Sequence, residues 1–309
     1  MPKKIIHLMG TVITMVVHHP NADALLAEAE QRLIDYERRF SANNPNSALM
    51  QINHQAGKSP VTVDADLFEL IAIGKRGSLA ADNLLNIAIG PLVKAWKIGF
   101  AGAQHPTDDV IAECRQLIDP HQIQLDEARN SVFLEQEKME IDLGALAKGY
   151  FADRIVEGFK RQHAEAGFID LGGNVLTFGE NPASEDGLWR VGIQNPQLPR
   201  GNYALVLNMQ NQSIVTSGIY ERKLEIAGQT YHHIFDGRTG YPVQSDVASL
   251  TIVSDESLAG EIWTTRLFGK DAVEIIHTLN SVSGLEGVVI TERNELAITE
   301  GLRPHVQWA

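Results

Sequence analysis

Residues 139–171, MEIDLGALAKGYFADRIVEGFKRQHAEAGFIDL, hold the turning point of this chain. Met139–Asp142 reads as a strand, and Lys148–Gln162 as a helix with Phe151, Ile155 and Phe159 at four-residue spacing. Phe168–Leu171 then reads as a strand, and strands dominate beyond it: Trp189–Ile193, Tyr203–Met209, Leu224–Ile226 and Val247–Val253. Two helices follow, Ser257–Phe268 and Ala272–Leu279. A hairpin from Val288–Thr291 to Leu296–Thr299, turning at Arg293-Asn294, closes the chain. Working back from residue 139, a hairpin joins Ile123–Leu125 to Val132–Leu134, and residues 101–111 read as a loop between lobes. Ile87–Trp96 reads as a turn into a short helix at Gly90-Pro91, and a helix spans about Asp64 to Leu79. Ser41–Ser47 is loop-like. Before it lies a long helix, N-capped by Asn21, with Ala22, Leu25, Leu26, Ala29, Leu33, Tyr36 and Phe40 on its inward face. Ile5–Val17 reads as a strand with Met9-Gly10-Thr11 inside it. Strands and helices come in blocks rather than strict alternation, which predicts an α+β fold.

The composition is that of a globular protein: 309 residues, 44% hydrophobic and 21% charged, with a formal net charge of −13. Such acidity argues against general binding to nucleic acid or to an anionic membrane surface, both of which need clustered Lys and Arg. An anionic ligand would have to be neutralised locally, by a metal ion, a few basic side chains or helix N-termini. Cys114 is the one cysteine, which excludes an intrachain disulfide and reads as a small core hydrophobe. The first residues lack the apolar core of a signal peptide, no lipobox cysteine is present, and no segment has the length of a membrane span, so a cytoplasmic protein is expected.

Four segments could carry chemistry. Asp142-Leu-Gly-Ala-Leu-Ala-Lys-Gly-Tyr150 joins a strand to a helix, with glycines that allow close backbone approach and Lys148 where free N–H groups already favour an anion. A plain turn with a solvated lysine fits it equally well. Asp170-Leu-Gly-Gly-Asn174 could seat a ligand against backbone, or be only a turn. Glu261 and Thr265 share a helix face and offer hard oxygen ligands to a cation such as Mg²⁺, although a polar helix face is the commoner meaning. In Tyr231–Gly240, His233 could act as a general base oriented by Asp236, or be a surface residue; zinc-ligand spacing and a GxSxG segment are absent.

Taken in order, these segments resemble those of the ApbE family, the FAD:protein FMN transferases. The likeness runs through Met9-Gly10-Thr11, the Ser41–Ser47 loop to Asn53, Gly90–Trp96, Asp142–Tyr150, Leu171-Gly172-Gly173, Thr216–Tyr220, His233–Asp236, Thr239–Pro242 and Gly260–Leu267. The resemblance implies one catalytic unit over residues 1–309, with α+β lobes of about 1–110 and 111–309 and FAD between them. It implies Mg²⁺ held by the Ala147 carbonyl, Glu261 and Thr265, and Lys148, His233 and Asp236 in the chemistry. FAD would be bound by Met9, Gly10, Thr11, Asn43, Ser47, Asp142, Lys148, Gly172, Gly173, Ser217, Gly218 and His233. The implied reaction cleaves FAD, releases AMP and joins FMN by a phosphoester to a Thr or Ser of an acceptor flavoprotein. Mg²⁺-dependent hydrolysis of FAD to FMN and AMP, and FAD binding without catalysis, are the alternatives. The chain departs from the family pattern at Glu261, where Asp is usual, at Asn43, where a Tyr is common, and at Leu85-Asn86, where Phe-Asp is usual. Loss of an aromatic ring at residue 43 is expected to weaken FAD retention.

Overall fold

The computed structural model describes residues 1–226 and 228–308. From the N-terminus come β1 (Lys3–Leu8), β2 (Thr11–His18), α1 (Ala22–Phe40), α2 (Ala48–His54), β3 (Val61–Thr62), α3 (Ala65–Ser78), α4 (Gly90–Trp96) and α5 (Asp108–Arg115). Next are β4 (Ile123–Asp126), β5 (Ser131–Leu134), α6 (Ala147–Arg161), β6 (Ala166–Leu171), β7 (Asn174–Phe178), β8 (Trp189–Gln194), β9 (Tyr203–Met209) and β10 (Ser213–Gly218). Then come β11 (Lys223–Ile226), β12 (Gln229–His232), β13 (Phe235–Asp236), β14 (Tyr241–Pro242) and β15 (Val247–Ser254). The last elements are α7 (Ser257–Leu267), α8 (Ala272–Ser281), β16 (Glu286–Thr291), β17 (Leu296–Ile298) and β18 (Val306–Trp308). Among the described residues no helix is long and apolar enough to cross a membrane.

The centre is an eight-stranded antiparallel sheet in the order β1-β2-β6-β7-β10-β15-β16-β17. Helices α1, α6, α7 and α8 lie side by side over it, each on the strands next to it in the order of the sheet. The opposite face, from Ile214, Val253, Val288 and Ile290, packs on Leu205, Leu207 and Met209 of the small sheet β18-β9-β8. Strand β15 is therefore buried along its whole length: Leu250 and Ile252 face α7 and α8, while Val253 faces the small sheet. A strand covered on both faces is mainly apolar; of its three polar residues, Thr251 shares a hydrogen bond with the Thr216 hydroxyl and Ser254 donates to the Glu256 carbonyl. Because β2 pairs with β6, the central sheet runs through the division placed at residue 110.

The predicted inward face of α1 is buried at all seven positions. Tyr36 from that face stacks on Phe151 of α6, with ring centroids 4.4 Å apart. Local periodicity was less informative elsewhere. Ile5–Val17 is two strands, because Met9 and Gly10 both adopt positive φ and close a two-residue hairpin turn. Met139–Asp142 forms a single bridge, Glu140 with Ile89, rather than a strand. The 101–111 loop gives way to α5, capped by the Thr107 hydroxyl. Asn21 makes no side-chain cap; its carbonyl accepts from the Ala24 and Leu25 N–H groups instead.

Candidate active site

One end of the central sheet carries three of the expected segments. Gly172 and Gly173, both at positive φ, form the two-residue turn between β6 and β7. An added Cβ at Gly172 would lie 1.9 Å from the Thr11 hydroxyl, so the Met9-Gly10 and Gly172-Gly173 turns abut. Asp170 holds the second turn by accepting from the Gly173 N–H at 3.0 Å. The Gly173 carbonyl in turn accepts from the Thr216 N–H at 3.1 Å, which brings in the end of β10 with Ser217 and Gly218. The Gly218 position lacks room for a side chain, since the Tyr220 ring folds against it. Burial pushes the Asp170 carboxyl above its ordinary range, opposed by the two glycine N–H groups and the charges of Lys148 and Arg200.

Lys148 stands in the first turn of α6, a helix whose start has no side-chain cap. Gly149 allows that turn to meet α7: a Cβ there would lie 2.6 Å from the Ser257 carbonyl and 2.7 Å from Glu261 Cγ. This close approach brings Lys148 Nζ to 3.8 Å from Glu261 Oε1. Glu261 is only 4% exposed, and the Asn174 amide donates to its Oε1 at 2.9 Å. Thr265 follows one turn later, half-buried, with no hydrogen bond from its hydroxyl among the described residues. Among those residues no group of three or more His, Cys, Asp or Glu could hold a metal. Glu261, beside the first turn of α6, and Thr265, one turn on along α7, would nevertheless offer a cation oxygen donors only. That chemistry fits Mg²⁺, which needs few protein ligands when a substrate phosphate completes its shell.

His233 follows the β11–β12 ribbon. Its Nδ1 lies 3.4 Å from the Arg222 carbonyl, an acceptor, so this nitrogen carries the proton and Nε2 is left as the basic atom. Burial, and then the positive charge of Arg222, depress the imidazole from 6.5 to about 4; Lys148 acts in the same direction. The ring is therefore neutral near pH 7. Arg222 also lies over the Phe100 ring at 5.4 Å and acts on Asp142, whose carboxyl burial pushes upward. Asp142 accepts from the Gly144 N–H at 2.7 Å, and Asn53 fixes the residue before it through two hydrogen bonds to the Ile141 backbone.

Three expected residues have other surroundings. Asp236 makes no hydrogen bond to His233 among the described residues: its carboxylate accepts from the Arg238 N–H, Nε and Nη2 at 2.8–3.2 Å and shapes the turn to Tyr241. Ser47 is buried as the cap of α2, accepting from the Met50 N–H and donating to the Ser41 carbonyl. Asn43 is exposed on the same loop, and its N–H donates to the Ser41 hydroxyl at 3.1 Å; no hydrogen bond joins it to Lys148 or His233 among the described residues. Conversely, Asn174, Ser257, Asp153 and Arg222 were not singled out by sequence. Asn174 had one signal, its place after Gly172-Gly173; the others had none.

A family model described as the ApbE family matches residues 9–289. A protein of Klebsiella pneumoniae (strain 342) named FAD:protein FMN transferase is 39% identical over 296 residues, which cover 96% of this chain and 91% of that protein. One with the same name from Treponema pallidum (strain Nichols) is 33% identical, covering 97% and 87%. The crystal structure of the ApbE protein from Thermotoga maritima superposes with a TM-score of 0.89 at 23% identity, over 98% of each chain. The apo flavinyl transferase ApbE of Pseudomonas stutzeri gives 0.84 at 20%, over 98% and 96%. With the family pattern matched over most of its length and such relatives aligned almost end to end, this chain belongs to the ApbE family.

Proposed function

We propose that this chain transfers FMN from FAD to a threonine or serine hydroxyl of an acceptor flavoprotein and releases AMP. The observation that carries the reading is the approach of Lys148 to Glu261 at 3.8 Å, with the Lys148 charge felt by His233, in a chain 39% identical to a protein named FAD:protein FMN transferase. The acceptor oxygen would form a bond to the flavin-side phosphorus while the bond from that phosphorus to the bridging oxygen breaks. AMP leaves with the bridging oxygen, and the hydroxyl proton passes to His233 Nε2 and then to water. Lys148, with the uncapped start of α6, would bind the phosphate oxygens and favour the charge that develops on them. Glu261, Thr265 and the Ala147 carbonyl would hold Mg²⁺, which supplies charge neutralisation on a pyrophosphate. In a chain of net charge −13, such local positive charge is what makes a dianionic substrate acceptable.

Hydrolysis of FAD is the second reading, favoured by exposed Asn43, which offers a flavin no ring to stack on. One assay separates the two. The protein is incubated with FAD and Mg²⁺, with and without an acceptor bearing an exposed threonine, while AMP, free FMN and protein-bound flavin are followed. AMP with equimolar flavinylated acceptor is expected. AMP and free FMN regardless of acceptor would replace transfer by hydrolysis, and FAD that stays intact would remove both.

A further inference from the structure

Asn174, the first residue of β7, is 0% exposed and is enclosed between α7 and the site. Its Oδ1 accepts from the Ser257 hydroxyl at 2.5 Å, and its Nδ2 donates to Glu261 Oε1 at 2.9 Å. A flipped amide would set Oδ1 against the carboxylate, acceptor against acceptor, so these partners fix its orientation. Ser257 is itself fixed: Asp153 of α6 accepts from the Ser257 and Leu258 N–H groups at 2.7 and 2.8 Å. Helix α6 thus clamps the start of α7 at Asp153 and presents Lys148 to Glu261 one and a half turns earlier. Glu261 Oε2 accepts no hydrogen bond from the described residues.

We propose that Asn174, locked by Ser257, is a positioning residue that engages Glu261 Oε1 and leaves Oε2 for a divalent cation. This rests on the magnesium reading above. An amide bonded to a ligating carboxylate limits the orientations that the carboxylate can adopt, and loss of such a partner typically lowers metal affinity about 10–100-fold.

The test is Mg²⁺-dependent thermal stabilisation of the full chain, both without and with FAD, measured for wild type, Asn174→Ala, Ser257→Ala and Glu261→Ala. Wild type should respond and Glu261→Ala should not. Asn174→Ala should need about 10–100-fold more Mg²⁺ for half-maximal stabilisation, and Ser257→Ala should shift less in the same direction. In turnover assays excess Mg²⁺ should restore kcat in Asn174→Ala without changing KM for FAD, a rescue that a merely structural lesion would not show. A folded Asn174→Ala with half-saturation within about twofold of wild type, well below the effect of losing such a partner, overturns the proposal. If Asn174→Ala does not fold, an unshifted Ser257→Ala overturns it. A wild type that ignores Mg²⁺ in both conditions instead removes the magnesium reading, and the proposal with it.

Discussion

Replacing His233 by Gln should change how stability depends on pH as well as the rate of reaction. In the folded chain the imidazole is depressed from 6.5 to about 4, mainly by burial and next by the Arg222 charge. Below pH 6.5 the unfolded chain binds a proton that the folded chain refuses. The contribution of this group to stability is therefore complete above about 6.5, falls as the pH drops towards 4, and is constant below that. At about 1.4 kcal/mol per pH unit, the whole depression corresponds to about 3 kcal/mol, an upper bound for a ring that is half-buried. Urea unfolding of wild type and His233→Gln at pH 7.5, 6, 5 and 4 isolates this term, because the other titrating groups are common to both. The wild type should lose stability relative to the variant by about 2–3 kcal/mol across that range. Parallel curves, agreeing within about 0.5 kcal/mol at every pH, would refute the reasoning, since a linkage of this size exceeds the error of extrapolation. With His233 as the proposed base, the acid limb of the rate should lie near pH 4 rather than 6.5.

Gly149→Ala should cost about 1–3 kcal/mol by overpacking, because its Cβ would press on the Ser257 carbonyl and Glu261; turnover should fall as Lys148 and Glu261 separate, and denaturation with steady-state assays measures both. Gly172→Ala forces a side chain into a positive-φ turn and against Thr11, and should destabilise by about 1–3 kcal/mol. Adding Thr11→Ala should recover the part due to collision, read as coupling in a double-mutant cycle. Asp236→Asn, whose carboxylate serves Arg238, should leave kcat within about twofold of wild type; a loss approaching the 10²-fold and more expected of an acid–base partner would restore Asp236 to the proton transfer.

Much of this protein was legible in its sequence where the information is local. The seven apolar positions of α1 and the Phe151-Ile155-Phe159 row of α6 sit at helical spacing, and burial of each follows from that spacing. The paired glycines at 172 and 173 mark a turn because positive φ is least strained there. Block order separated α+β from a doubly wound sheet, and the succession of short segments identified the family. Strands β7 and β10 escaped notice, since one is short and the other is interrupted by polar residues; pairing with distant strands defines them. The site divides in the same way. Lys148, Glu261, Thr265 and His233 were visible as residue types suited to phosphate, cation and proton. That Lys148 meets Glu261 across a glycine contact, that Asn174 and Asp153 secure α7, and that Arg222 rather than Asp236 hydrogen-bonds His233 depend on residues distant in sequence. Spacing along a chain fixes which side chains share a face, whereas packing of α6, α7 and the sheet rim decides which charges and hydrogen-bond partners those faces meet.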